Sequence, residues 1–152
     1  MKKKTSVYLS WGIPIFAAIC AVTAFFMIFV EAVRYELSTG FAIFGSSYTG
    51  LQVALGYTVN DIPVFDASAG IILAFLLPLF GACVAIIGKG NKIVSVLSAA
   101  MMLTGGILAF STLSLLNGSP YLSPKLSAGP IASGVLSVMG AIAEGSSIFL
   151  KQ

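Results

Sequence analysis

Leu51-Gln-Val-Ala-Leu-Gly-Tyr-Thr-Val59 alternates along its length. Leu51, Val53, Leu55, Tyr57 and Val59 fall on one face of an extended chain, and Gln52, Ala54, Gly56 and Thr58 on the other. Successive side chains of a strand point to opposite faces, so a period of two marks a half-buried β-strand. The stretch therefore predicts a strand. It lies within Arg34 to Asp66, the one long segment outside the apolar runs. There, Phe41-Ala-Ile-Phe44 predicts a first strand and Gly45-Ser-Ser47 a turn. Asn60-Asp61-Ile-Pro63 predicts a break after the second strand.

The flanking sequence is of another kind. The chain has 152 residues, 58% hydrophobic and 9% charged, with a mean hydropathy of +1.03. A soluble domain carries roughly a quarter charged residues, so a lipid bilayer is the expected surroundings. Four apolar runs, 11–33, 67–88, 93–116 and 130–150, are each long enough to cross hydrocarbon as a helix. Met1-Lys-Lys-Lys4 invites a signal-peptide reading. The first run, however, has full span length and no small-x-small cleavage site follows it, so a retained helix is expected. Pro14 and Pro130 suit first turns. Asp66 is placed to cap the second helix, and Pro78 to kink it. The predicted fold is an all-α membrane protein: a four-helix transmembrane bundle in one domain, 1–152, with a small extracellular β-hairpin or sheet in the first outer loop, 34–66.

Charge sets the expected orientation. Lys2, Lys3, Lys4, Lys89, Lys92 and Lys151 fall at one set of helix ends, Arg34 and Lys125 at the other. The positive-inside rule then predicts a multi-pass plasma-membrane protein with both termini cytoplasmic and the Arg34–Asp66 loop outside. The net charge of +3 is carried at helix ends, and no nucleic-acid partner is expected.

Few residues could carry chemistry. The sequence has no His, which removes the commonest general base and metal ligand. Cys20 and Cys83 lie in separate apolar runs and are expected to be small buried residues. No phosphate loop, zinc-protease or nucleophile-elbow motif is present, so no enzyme, cofactor or metal is expected. Glu144 is the one acid well inside a predicted span, and an ionisable residue there is a functional candidate. The plainer expectation is that it pairs with Lys89, Lys92 or Lys4. Glu31 and Arg34, three residues apart, predict an ion pair on a helix face. Gly129, Ser133, Ser137, Ala141 and Gly145 recur every four residues, a stripe that lets another backbone approach closely. Its mate is either a helix of this chain or a partner. In the loop, Phe41, Phe44, Tyr48, Leu55 and Tyr57 are candidate contact anchors, and an exposed strand edge can pair with another chain.

The layout (four helices, cytoplasmic termini, a long first outer loop with strands and a short second one) resembles the claudin-like membrane proteins. The family's first loop carries Gly-Leu-Trp and a cysteine pair; here Gly50-Leu51 is followed by Gln52 and the loop has no cysteine. The resemblance implies a first outer loop that forms a sheet and mediates contacts with neighbours. The expected function is therefore non-enzymatic: a scaffold, accessory subunit or assembly component that self-associates or binds other membrane subunits. The alternative is a channel or transporter component using Glu144 and polar residues of the third and fourth helices.

Overall fold

The computed structural model describes residues 2–39, 42–59, 62–88, 91–116 and 124–150. Four long helices dominate: α1 (Lys2–Phe26), α3 (Ala69–Ile87), α4 (Lys92–Phe110) and α5 (Ala128–Leu150). Each contains a stretch long and apolar enough to cross a membrane, and the first such stretch, Trp11–Phe29, takes in a 3₁₀ turn at Met27–Phe29. α1 packs on α3 and α5, and α4 packs on the same two, so the four form a ring in chain order. α3 and α5 barely meet across the diagonal.

Small residues let the helices close on one another. A Cβ on Gly105 of α4 would lie 2.5 Å from Pro78 Cδ of α3. One turn further along, the Ser98 hydroxyl donates to the Gly81 carbonyl at 2.7 Å. Between α4 and α5, Gly106 faces the Gly134 carbonyl, and Gly134 faces the Phe110 ring. Ala17, Ala21, Ala82, Met102 and Ala141 fill the middle of the ring. Pro78 lies inside α3, fully buried, and serves as the ridge that Gly105 receives.

The α1 and α5 connections at one end build a cap. β1 (Glu31–Thr39) pairs antiparallel with β2 (Ala42–Thr49) and with β5 (Pro124–Leu126), in the order β2-β1-β5. A second antiparallel pair joins β3 (Tyr57–Val59) to β4 (Ile62–Phe65). Between them lies a short helix, α2 (Gly50–Leu55). Cap and bundle share one core: Ile28, Val33, Tyr35, Val53, Phe65, Ile71, Phe75 and Ala109 belong to a single buried cluster.

Several sequence expectations are corrected here. The predicted strand 51–59 is a helix as far as Leu55. Thr49 accepts from the Gln52 N–H through its hydroxyl, and the Gln52 side chain accepts from the Thr49 N–H at 2.9 Å. This reciprocal capping box nucleates a turn; Gly56, at φ +86°, then ends it, and only Tyr57–Val59 is extended. The predicted first helix, 11–33, ends at Phe26, and its last residues form β1 instead. The expected turn at Gly45-Ser-Ser47 lies within β2; of the expected break Asn60-Asp61-Ile-Pro63, residues 60 and 61 lie outside the described residues, β3 ends before them at Val59, and Ile62 and Pro63 begin β4. The second helix begins at Ala69 after Ser68 rather than next to Asp66, which stays exposed. The Ser68 hydroxyl makes no cap bond and donates instead to the Leu115 carbonyl at 3.2 Å. α4 stops at Phe110, and a 3₁₀ turn covers Thr112–Leu115. Cys20 is buried, but Cys83 is exposed on α3.

Candidate functional site

Two places collect the candidate residues: the cap and the inner face of α5. In the cap, β1 carries a bulge where Glu31 pairs with Thr49 but Val33 with Tyr48. The extra residue, Ala32, swaps the faces of the strand. Ala32 and Val33 are thus both fully buried, while Glu31 and Arg34 come out on the same side. Their ion pair forms on this strand rather than on a helix. The guanidinium is forked on the carboxylate, Nε to Oε1 at 2.8 Å and Nη2 to Oε2 at 3.1 Å. That hydrogen bonding from Arg34, helped by Ser127 beyond β5, holds the Glu31 carboxyl below its ordinary range. The Ser127 N–H also donates to the Ala32 carbonyl at 2.9 Å, so the connection before α5 is stitched to the one after α1.

Beneath the sheet is an aromatic cluster. Tyr35 stacks on Phe65 with centroids 5.9 Å apart, Tyr48 meets Phe65 edge-on at 5.0 Å, and Tyr57 meets Tyr48 at 5.7 Å. Burial, and then the neighbouring Tyr48, pushes the Tyr35 phenol up from its ordinary value. Tyr48 and Tyr57, expected as outward anchors, are therefore half-buried and packed on each other. Leu55 does face outward, at 61% exposure. Phe41 and the side chain of Phe44 lie outside the described residues. Tyr35 and Phe65 were not singled out from the sequence. The signal for Tyr35 was the Val33-Arg-Tyr-Glu-Leu-Ser38 alternation, hidden by the apolar run before it.

On α5 the stripe turns inward. Gly129, Ser133, Ser137 and Ala141 are buried and Gly145 is half-buried. Gly129 seats the start of α5 on the backbone of Met27, Val30 and Glu31, where a Cβ would lie 2.9–3.2 Å from their carbonyl oxygens. Ser137 returns its hydroxyl to the Ser133 carbonyl at 2.7 Å. Gly129 thus meets the turn after α1, Ser137 lies against Gly106 of α4 and Ala141 clusters with Ala17 and Ala21 of α1, while Gly145 has open space beside it. Glu144, one turn beyond the buried Gly140, has no exposed surface. Of its expected lysine partners, Lys92 is exposed at the start of α4, Lys89 lies outside the described residues, and so does the side chain of Lys4. Among the described residues no three His, Cys, Asp or Glu side chains gather into a metal-ligand set.

No protein-family model matches the chain, and no curated protein is significantly similar to it.

Proposed function

We propose that the chain is a non-enzymatic, multi-pass integral membrane protein that acts through protein–protein contact at its cap, as a scaffold, accessory subunit or assembly component. In this reading all four long helices span the plasma membrane. The lysine-rich ends, with both termini, are cytoplasmic, and the cap is outside. The observation that carries it is the β2-β1-β5 order, which among the described residues leaves β2 as an eight-residue edge strand with Gly45, Ser46 and Ser47 exposed. Unpaired edge N–H and C=O groups are a template for a further strand from a second copy or another subunit. The small-residue stripe from Gly129 to Ala141 is buried within this chain, which leaves the interaction role to the cap. The likeness of layout to claudin-like proteins leads to the same expectation.

Along an antiparallel edge, successive N–H groups point alternately to the neighbour and outward. Of Ser46→Pro and Ser47→Pro, one breaks the β1 ladder and the other removes only an outward donor. The outward variant is expected to keep its thermal midpoint and to lose the cross-linked oligomer, or the co-reconstituted subunit, in liposomes. A second reading, a channel or transporter component, is favoured by one observation: the fully buried Glu144 carboxyl inside the ring. If Glu144→Gln changes ion or solute flux in proteoliposomes while both proline variants associate as wild type does, the contact reading fails.

A further inference from the structure

The short helix α2 is held at a defined depth. Its first N–H, from Gly50, donates to the Val30 carbonyl at 3.1 Å. Near its other end, the Ala54 carbonyl accepts from the Ser68 N–H at 3.0 Å. Val30 is the residue after the apolar stretch Trp11–Phe29, and Ser68 the residue before Ala69–Ile87. Both ends of α2 are thus tied to the levels at which two apolar stretches finish and begin. The seating is close. A Cβ on Gly50 would lie 2.9 Å from the Ile28 carbonyl oxygen and 3.1 Å from the Phe75 ring. A Cβ on Gly56, whose φ is +86°, would lie 3.1 Å from both the Phe65 carbonyl oxygen and the Ala67 nitrogen.

Held there, α2 presents two faces. Val53 and Ala54 are fully buried against the bundle, while Leu51 and Leu55 face outward at 37% and 61% exposure. The six residues Gly-Leu-Gln-Val-Ala-Leu include no charge. α2 packs beside the 3₁₀ turn Met27–Phe29, whose Phe29 is itself exposed at the end of the first apolar stretch. An exposed apolar face continuous with a span end and at its level matches the hydrocarbon–headgroup boundary.

We propose that α2 is an interfacial anchor: Leu51 and Leu55 insert into the outer leaflet, and lipid is what covers this face of the cap. The inference rests on the multi-pass reading above. It sets the height of the sheet over the membrane and leaves the β2 edge for protein contact.

The test uses the full chain in phosphatidylcholine–phosphatidylglycerol liposomes, with Cys20 and Cys83 replaced by Ala. A nitroxide is attached at Leu55→Cys and, separately, at Leu51→Cys. Ser46→Cys on β2 serves as the water reference and Leu97→Cys, exposed in the first half of α4, as the lipid reference. Collision with dissolved oxygen, which concentrates in hydrocarbon, is compared with collision with a water-soluble nickel chelate. The oxygen-to-nickel ratio at positions 51 and 55 is expected to exceed that at 46 several-fold and to approach that at 97. A ratio at 51 and 55 equal to that at 46, with 97 reading lipid, overturns the anchor and leaves the multi-pass reading standing. Spin–spin broadening at 55 that grows with protein density overturns it in favour of a second copy on this face. Water at 97 removes the multi-pass reading, and the anchor with it.

Discussion

Gly105 and Gly145 are both helical glycines in apolar stretches, yet their surroundings are opposite. A Cβ on Gly105 meets the Pro78 ring at 2.5 Å, whereas one on Gly145 meets nothing within 4 Å. Gly105→Ala must push α3 and α4 apart, and overpacking of this kind costs about 1–3 kcal/mol. Gly145→Ala only removes backbone freedom in a helix and is expected to gain about 0.5–1 kcal/mol. Thermal midpoints followed by circular dichroism in detergent should move in opposite directions. The Glu31–Arg34 fork makes a second prediction. The folded Glu31 pKa is depressed, first by the Arg34 hydrogen bond. Its contribution is therefore fully present above the unfolded carboxyl pKa of about 4.3 and lost as pH falls through the lower folded value. Hydrogen-exchange protection of the β1–β5 amides should weaken below about pH 4. Glu31→Gln should flatten that acid limb. The pair is largely solvent-exposed, so high salt should shrink the difference.

The sharpest lesson at the level of elements is α2. Its sequence satisfies two periods at once: Leu51, Val53, Leu55 at spacing two, and Gly50, Val53, Ala54 at helical spacing. The local signal that decides between them is Thr49-x-x-Gln52, a capping box readable from sequence, and it prevails over the alternation as far as Leu55. Thr49→Ala is expected to cost about 1 kcal/mol of α2 stability. Gln52→Ala should do likewise, and the double variant less than the sum, since both bonds belong to one box. Exchange protection at residues 53–55, measured against that of α4, reads all three. β1 is hidden for the converse reason: the Val33–Ser38 alternation adjoins the apolar run of α1 with no Gly or Pro between them. The four apolar helices were legible because length and hydropathy alone report them. The pairing of β5 with β1 was not, because three residues beside prolines carry no register signal. The α5 stripe was legible as a close-packing face; which neighbour it meets depends on the order of helices around the ring.

The whole molecule is tied together at the cap end. Gly129 seats α5 on the turn after α1, Ser68 reaches the turn after α4, and Ser127 joins the α4–α5 connection to β1. The buried cluster that holds Val33 and Tyr35 of the sheet also holds Ile71 and Phe75 of α3 and Ala109 of α4. No boundary divides this core into a sheet part and a helix part, so cap and bundle should unfold as one cooperative unit. The single tryptophan, Trp11, lies on α1 well before the cap and reports on the far part of the bundle. Val33→Ala removes two methyl groups from a fully buried position in the sheet. Deletions of this kind leave a cavity and cost roughly 1–3 kcal/mol. If the core is shared, the Trp11 fluorescence transition in denaturant must shift to lower midpoint by as much as the loss of exchange protection in β1. A cap that melts early while the Trp11 transition stays in place would mean that the sheet rides on the helices without stabilising them.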